Sequence, residues 1–200
     1  MKKLQATDNS KGQIFNNSIL EVFTKTSPIL TALYYGGIIA SFLYIHFANY
    51  HSSWSLTLGV FVSALFFWTL FEYGMHRYVF HFMNEKDWSK RLHFAIHGVH
   101  HLYPRDVSRL FMPPLPGTII IGVITAFFYP ILGQLLYIWM SGFLVGWSMY
   151  VSIHYIIHVY QPIKPFKYLW THHAMHHYKN EEVAFGVSSP LWDMVFGTMP

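Results

Sequence analysis

The stretch HFAIHGVHH, His93–His101, contains four histidines, and THHAMHH, Thr171–His177, repeats nearly the same density. Both stretches contain the spacing H-x-x-H-H. On an α-helix, positions i, i+3 and i+4 are neighbours on one face, so each box is predicted to point its three imidazoles the same way. Neutral histidine is the commonest nitrogen ligand for zinc, iron and copper in proteins. The two boxes therefore predict metal binding.

A spaced histidine pair precedes each box. The first pair reads H-x4-H, the second H-x3-H. A tetrahedral metal takes four ligands, so ten histidines predict two metals with about five ligands each. The predicted ligands are His76, His81, His97, His100, His101, His154, His158, His173, His176 and His177.

The remaining four histidines fall outside this pattern. His46 and His51 lie far from the boxes and are predicted to be structural. His93 shares a helical stripe with His97 but has no counterpart in the second set, so packing or support of a ligand is expected. His172 shares a face with His176, yet the repeated spacing favours its neighbour His173 as the ligand.

Composition places the chain in a membrane. It is 53% hydrophobic and 11% charged, whereas soluble domains carry about 25% charged residues. No Asp, Glu, Lys or Arg occurs in Thr26–Phe71 or in Leu110–Ile163. A single span needs roughly 20 apolar residues, so each stretch predicts two spans joined by a turn. Pro130 and Gly133 mark the second turn.

The predicted fold is an all-α integral membrane bundle of about four transmembrane helices, with a cytosolic helical cap that holds the di-metal site. The helices are expected near Ile29–Phe47, Trp54–Tyr73, Thr118–Tyr129 and Leu135–His158. One domain, 1–200, is predicted, divided into a cytosolic N-terminal segment 1–28, a helical hairpin 29–73, a cytosolic histidine region 74–116, a second hairpin 117–160 and a cytosolic C-terminal histidine region 161–200.

Charge predicts the orientation. With four spans, all thirteen Lys and Arg residues lie on the side of the histidines, and the positive-inside rule assigns that side to the cytosol. The net charge of +4 is therefore attributed to topology and contact with membrane lipids. No nucleic-acid motif accompanies it. The absence of cysteine excludes disulfides and thiolate ligands.

Other functions of a histidine-rich membrane protein stay open at this point. A non-catalytic metal-binding or transport protein is one, although a transporter places its ligands near the middle of its spans. A di-zinc hydrolase is another. Metal content measured together with O₂ consumption separates a carrier from an oxygenase.

The histidine arrangement resembles the fatty acid hydroxylase superfamily of membrane di-metal oxygenases, with closer similarity to the fatty acid 2-hydroxylases. Three stretches carry the resemblance: HGVHHLYPRDVSRLFMPPLPG at His97–Gly117, HYIIH at His154–His158 and FGVSSPLWDMVFGT at Phe185–Thr198. It extends from about Glu72 to the C-terminus. The resemblance implies two iron ions on the ten histidines, O₂ as co-substrate, and hydroxylation at C2 of a fatty acyl chain, free or in a sphingolipid-like lipid.

The resemblance also implies partners and leaves one rival. Many relatives carry a fused cytochrome b5 domain, for which this sequence has no room, so a separate cytochrome b5-like or ferredoxin-like donor is expected. The compact form favours a bacterial inner membrane over the endoplasmic reticulum. The histidine ligands do not indicate which substrate the enzyme uses, so a sterol or carotenoid oxygenase or desaturase of the same superfamily remains an alternative. Isolated protein can carry zinc, because imidazole sites bind zinc more tightly than ferrous iron.

Three residues are candidates for orienting the metal ligands: Glu72, one turn before His76, Asp193 in LWD, and Tyr150. A helix-end charge is the alternative for Glu72 and a turn cap is the alternative for Asp193. In the family, a Tyr-Asp pair often precedes the H-x3-H box, but here Val151 follows Tyr150. Four aromatic residues near the cap are candidates for lining the acyl tunnel, the alternative for each being a lipid-facing or interfacial position: Phe66, Phe67, Trp68 and Phe71. Two cap arginines are candidates for docking an acidic donor or, equally, for contacting lipid phosphates: Arg105 and Arg109.

Overall fold

The computed structural model describes residues 11–200, and within them the chain is all-helical without a β-strand, as predicted. Three stretches are long and apolar enough to cross a membrane: Pro28–Asn49, Trp54–Phe80 and Val107–Val159. The helices are α1 Ser18–Val22, α2 Pro28–Asn49, α3 Trp54–Gly74, α4 Asp87–His93, α5 Val99–Leu102, α6 Pro114–Leu132, α7 Leu136–Val159, α8 Lys167–Tyr178 and α9 Leu191–Phe196.

The first hairpin begins each of its helices with a serine cap. The Ser27 hydroxyl accepts from the Leu30 amide at 3.1 Å, and Ser53 accepts from Leu56 at 3.3 Å. Such caps satisfy amide groups that have no partner within the helix. Pro28 follows Ser27 at a position where its missing N–H costs nothing. Polar residues between two apolar runs thus set where the hairpin turns.

The second hairpin turns at Gly133, and the prediction that Pro130 lies in the turn is wrong. Pro130 lies inside the last turn of α6, which is longer than the predicted Thr118–Tyr129. A proline there removes a single backbone hydrogen bond, while unpaired backbone in lipid costs several kcal/mol per group. Gly133 has φ +52°, which glycine adopts readily. The third apolar stretch therefore contains both α6 and α7, and the count of four spans stays a prediction.

Helix α7 lies at the centre of the bundle and packs against α3, α2 and α6. Two glycines on α7 allow close approach to α3. A Cβ on Gly142 would lie 2.4 Å from the Phe61 carbonyl oxygen, and one on Gly146 would lie 2.7 Å from the Trp68 side chain. Small residues spaced in this way let helix backbones pack closely in a membrane.

The cap is built at one end of the bundle, where α3 ends, α6 begins and α7 ends. Beyond α3 the chain winds as a π-helix over Met75–Phe80, and a second π-helical turn, Phe94–Gly98, joins α4 to α5. Helix α8 and the segment that carries α9 complete the cap. The predicted ligands lie on these elements, on the last turns of α7 or, in the case of His81, directly after the first π-helix.

Candidate metal centre

The structure gathers the ten predicted ligands into two groups of five. In each group, one nitrogen from every ring lies within 4.8 Å of the others. The first group, quintet A, contains His76, His81, His97, His101 and His176, and the second, quintet B, contains His100, His154, His158, His173 and His177.

Each H-x-x-H-H box is divided between the quintets, so the prediction that its three rings point the same way is wrong. His97 and His101, four residues apart, share quintet A with ring centroids 4.6 Å apart, but His100 belongs to quintet B. At 3.6 residues per turn, positions i and i+4 differ by about 40°, whereas i+3 lies about 60° to the other side. The middle histidine of each box therefore reaches the neighbouring site.

The second box mirrors this exchange. His173 and His177 lie in quintet B with centroids 4.5 Å apart, while His176 joins quintet A. Each site thus takes four rings from one half of the chain and one from the other. The pair His154 and His158 does share one quintet, as its i, i+4 spacing predicts.

The pair His76 and His81 depends on the π-helix. Five residues of α-helix would place two side chains on different faces, yet here the His81 amide donates to the His76 carbonyl at 3.2 Å. That i to i+5 bond winds the chain more widely, and the two ring centroids lie 5.1 Å apart. π-helical turns are frequent at functional sites.

The nitrogens are spaced as ligands of a common metal. Neighbouring Nε2 atoms lie 2.9–3.0 Å apart in quintet A and 2.8–3.2 Å apart in quintet B. Two nitrogens that each lie about 2.1 Å from one metal are about 3.0 Å apart at 90° and about 3.4 Å apart at the tetrahedral angle. The spacing therefore fits metals with five or six ligands.

Backbone carbonyls set the tautomer of two rings in quintet A. Nδ1 of His76 donates to the Phe185 carbonyl, and Nδ1 of His176 donates to Val183 at 2.8 Å. A carbonyl only accepts, so Nδ1 carries the proton and the neutral ring presents a lone pair on Nε2. Those lone pairs face the centre of the quintet, which is the arrangement that a metal requires.

Burial keeps the cap imidazoles neutral. Desolvation, reinforced by neighbouring imidazoles, holds the pKa of His97, His100, His173 and His177 well below the usual histidine value. Desolvation also lowers the pKa of His81 to about 3 and that of His176 to about 4. Neutral rings at pH 7 are competent ligands, so the donor set fits zinc, iron or copper.

Glu72 and Asp193 contact a loop instead of a ligand. The buried Glu72 carboxylate accepts from the amides of Val187 and Ser188, each at 2.8 Å. Asp193, also buried, accepts from the amides of Phe185 at 2.9 Å and Gly186 at 2.8 Å. This loop, residues 183–188, supplies the two carbonyls that orient His76 and His176. The two acids therefore act on the ligands through the loop backbone.

Asp193 also binds the histidine that the spacing left out. Nε2 of His172 lies 3.0 Å from the carboxylate, and the Thr198 hydroxyl donates to it at 2.8 Å. Burial alone would raise the pKa of Asp193, but these bonds and the loop amides hold it below its usual value. His172 therefore supports the loop indirectly, through Asp193, which agrees with the preference for His173 as a ligand.

Tyr150 contacts a predicted ligand through its ring face. Its ring stacks on His154 with centroids 5.7 Å apart, and it also lies 5.9 Å from Trp68. The contact is packing against an imidazole, consistent with an orienting role by shape.

Sequence reasoning missed the loop carbonyls, because a backbone acceptor leaves no signal in residue type. It also missed Glu181, whose carboxylate lies 3.3 Å from Nδ1 of His101. His93 supports the cap as expected, since its Nδ1 donates to the Phe80 carbonyl at 2.7 Å. His46 is buried beside Thr57 at 3.5 Å and His51 is exposed, both far from the quintets.

An apolar cavity of about 440 Å³ leads from the quintets into the bundle. It contacts rings from both, namely His97 of quintet A and His100 and His154 of quintet B. Of the four aromatic residues predicted to line an acyl tunnel, Trp68 and Phe71 line it. Phe66 is 57% exposed, and Phe67 packs behind the lining.

A second cavity, of about 520 Å³, opens on the outer side of quintet B and is here called the outer cavity. Arg105 and Lys179 line it together with His158, His173 and His177. Arg109 is buried instead, because it pairs with Glu21 and donates to the Gly12 carbonyl. The prediction that Arg109 docks a donor is therefore wrong.

The fatty acid hydroxylase family model matches residues 61–198 of this sequence. The chain belongs to the fatty acid hydroxylase family. It is 38% identical over 144 residues to the dihydroceramide fatty acyl 2-hydroxylase FAH1 of Arabidopsis thaliana, covering 70% of this chain and 60% of that protein. It is 33% identical over 215 residues to the fatty acid 2-hydroxylase of Rattus norvegicus, covering 94% and 56%.

Two further members of the family come from yeast. The Saccharomyces cerevisiae ceramide very long chain fatty acid hydroxylase SCS7 is 35% identical over 194 residues, covering 92% of this chain and 48% of the relative. A solved structure described as full-length scs7p, with only its hydroxylase domain visible, superimposes with a TM-score of 0.85 at 32% identity. It covers 93% of this chain and 71% of that one.

The chain spans about half to three fifths of the length of these curated relatives. All three are from eukaryotes, which weighs against the predicted bacterial inner membrane.

Proposed function

We propose that this protein hydroxylates C2 of a fatty acyl chain, free or within a sphingolipid-like lipid, with O₂ and electrons from an external donor. The relatives named as 2-hydroxylases and ceramide hydroxylases support this reaction. The observation that carries the proposal is the apolar cavity, which contacts histidine rings of both quintets at the end nearest the cap.

The ten histidines would hold two iron ions, five rings to each. Redox metal supplies the oxidising power for an unactivated C–H bond, which no side chain offers, whereas zinc has no redox chemistry. The protein holds the rings neutral, aims their lone pairs inward and excludes water. The cavity wall does the last of these, since Trp68, Phe71, Phe143, Leu144 and Trp147 make it largely apolar.

The lipid would enter with its acyl chain in the cavity and its polar end at the cap. In that pose, the carbons nearest the carboxyl group lie beside His97, His100 and His154. Positioning alone then selects the carbon that reacts, because a reacting atom must be held within about 3–3.5 Å of its partner. Glu72 and Tyr150 also line the cavity near the cap. The Val187 amide donates to Glu72, and the Tyr150 ring stacks on His154.

The donor would dock at the outer cavity, on the basic side of quintet B. Arg105 and Lys179 would attract an acidic cytochrome b5-like or ferredoxin-like protein. Reversing the charge of Lys179 to Glu should lower the rate at limiting donor and low salt. The rate with a small chemical reductant should stay unchanged, and an equal loss with both reductants would contradict this docking site.

The cap would face the cytosol in a single domain spanning residues 1–200, with the hairpins at 29–73 and 117–160 in the membrane. The distribution of Lys and Arg supports this orientation, because the basic residues outside the apolar stretches share the side of the histidines.

Expression in a host without 2-hydroxylated lipids, followed by lipid mass spectrometry, tests the reaction. Wild type should add 2-hydroxy acyl chains, while His100→Ala and His176→Ala should abolish them. The control His51→Ala removes an exposed histidine far from both quintets and should keep most of the product. Equal product in all variants contradicts the ligand assignment, and oxidised sterols or carotenoids in place of hydroxy acids contradict the substrate.

A further inference from the structure

The depth of the apolar cavity that leads from the quintets into the bundle can be measured along α7. Its lining runs on that helix from His154 at the cap to Phe143. Eleven residues of α-helix rise about 16 Å at 1.5 Å each. On α6 the lining reaches down to Ile124, about 15 Å along the helix axis from its start at Pro114. Both helices thus place the end of the cavity at a similar depth.

At that end the lining residue Phe143 lies in a cluster with three further aromatic residues, and these four residues are here called the aromatic floor. The Phe143 ring lies 5.3 Å from Trp139 and 6.3 Å from Phe67, measured between centroids. Phe128 of α6 contacts the same two rings at 4.5 and 5.8 Å. Because Phe143 lines the cavity while the other three do not, its ring is the surface that a chain end would meet.

The Phe143 ring is also held firmly in place. Trp68 meets it edge-on at 5.0 Å and Phe71 at 5.2 Å, and the residue is 3% exposed. Aromatic pairs in these geometries each contribute about 0.5–1.5 kcal/mol beyond burial. A ring packed against these four aromatic neighbours does not swing away to admit a longer chain.

We infer that Phe143 sets the length of acyl chain that the protein accepts, an inference that rests on the proposed function. A zigzag of about 1.5 Å bonds at about 111° advances about 1.25 Å per carbon. The depth of about 16 Å therefore holds about 13 carbons beyond the reacting position. A longer chain would leave C2 above the quintets or bend its tail out of the cavity.

Two substitutions test the floor from opposite directions. Phe143→Ala removes a ring about 4 Å long, so the preferred chain should lengthen by about three carbons at 1.25 Å each. Ile124→Phe adds a ring beside the floor and should shorten the preferred chain. The control Phe42→Ala makes the same truncation on α2, where Phe42 packs against Tyr137 and does not line the cavity.

Two readouts separate this inference from the proposed reaction. The first is the chain-length distribution of 2-hydroxy products by mass spectrometry. The second is the thermal stabilisation of detergent-solubilised protein by saturated fatty acids of increasing length, which needs no turnover. A shifted optimum in the second readout supports the floor even if no hydroxylated product forms.

If either folded variant keeps the wild-type length optimum in both readouts, the inference is overturned and the tail leaves the cavity elsewhere. If Phe143→Ala does not fold, Ile124→Phe decides the question alone.

Discussion

Removing the Asp193 carboxylate should release metal from quintet A through a loop that itself contains no ligand. Asp193 accepts from the amides of Phe185 and Gly186 and is fully buried. In Asp193→Ala both amides lose their acceptor, and each unsatisfied buried donor costs about 1–3 kcal/mol. The expected loss of about 2–6 kcal/mol is large beside the 5–15 kcal/mol by which proteins are typically stable.

The loss should concentrate on one metal. The loop carbonyls of Phe185 and Val183 orient His76 and His176, both in quintet A. Loss of such outer contacts lowers metal affinity about 10- to 100-fold. Asp193→Asn keeps one oxygen as the acceptor for the Phe185 amide but places an NH₂ group, which cannot accept, at the Gly186 amide, so it should fall between wild type and Asp193→Ala.

Chelator competition on zinc-loaded protein, together with thermal unfolding in detergent, measures both effects. Wild type should release its two metals in one narrow range of chelator, whereas Asp193→Ala should release one metal at lower chelator and retain the other. The matched control is Asp87→Ala, which removes an exposed aspartate on α4. A wild-type melting temperature and release curve in Asp193→Ala would refute the loop mechanism.

Three further predictions concern the quintets and the N-terminal segment. His173→Ala should reduce bound metal from about two to about one per chain, measured by elemental analysis, and retention of two would contradict quintet B. Acidification should destabilise metal-free protein: its ring pKa values are depressed, so the unfolded chain binds more protons below pH 6.5. Each ring then lowers the free energy of unfolding by about 1.4 kcal/mol per pH unit. This loss continues until the pKa of the ring in the folded protein is reached, which is about 4 for His176. A melting temperature that stays constant from pH 7 to 5 would contradict this. Glu21 accepts from two N-terminal amides and pairs with Arg109, so Glu21→Gln should speed proteolytic cleavage before residue 27 with little change in metal content, and unaltered cleavage would contradict it.

The sequence predicted which histidines are ligands but not how they divide between the two quintets. The repeated H-x-x-H-H spacing and the pairs before it selected the ten residues that the structure brings together, and they excluded His172. Spacing could do this because it depends only on residues that are close in the sequence. It placed His100 with His97, since both lie near one side of the helix. Only the positions of α7 and α8 decide that the 60° offset of the middle histidine is enough to reach a different quintet.

Residue type likewise indicated that Glu72 and Asp193 matter, but not how. Both were expected to orient the metal ligands. The structure shows that they hold the loop 183–188, which folds back over α3 from more than 100 residues further along the chain. A carbonyl acceptor such as that of Val183 can come from any residue, so no sequence pattern marks it.

The amino-acid sequence by itself determined the helical membrane fold, because charge-free apolar stretches can satisfy their backbone in lipid only as helices or closed barrels. It also determined which imidazoles are available to a metal. Tertiary structure alone decided how those rings divide into two sites, where the cavity ends at Phe143, and that Arg109 is buried. Those features depend on contacts between segments far apart in the chain, whose relative positions local periodicity does not encode.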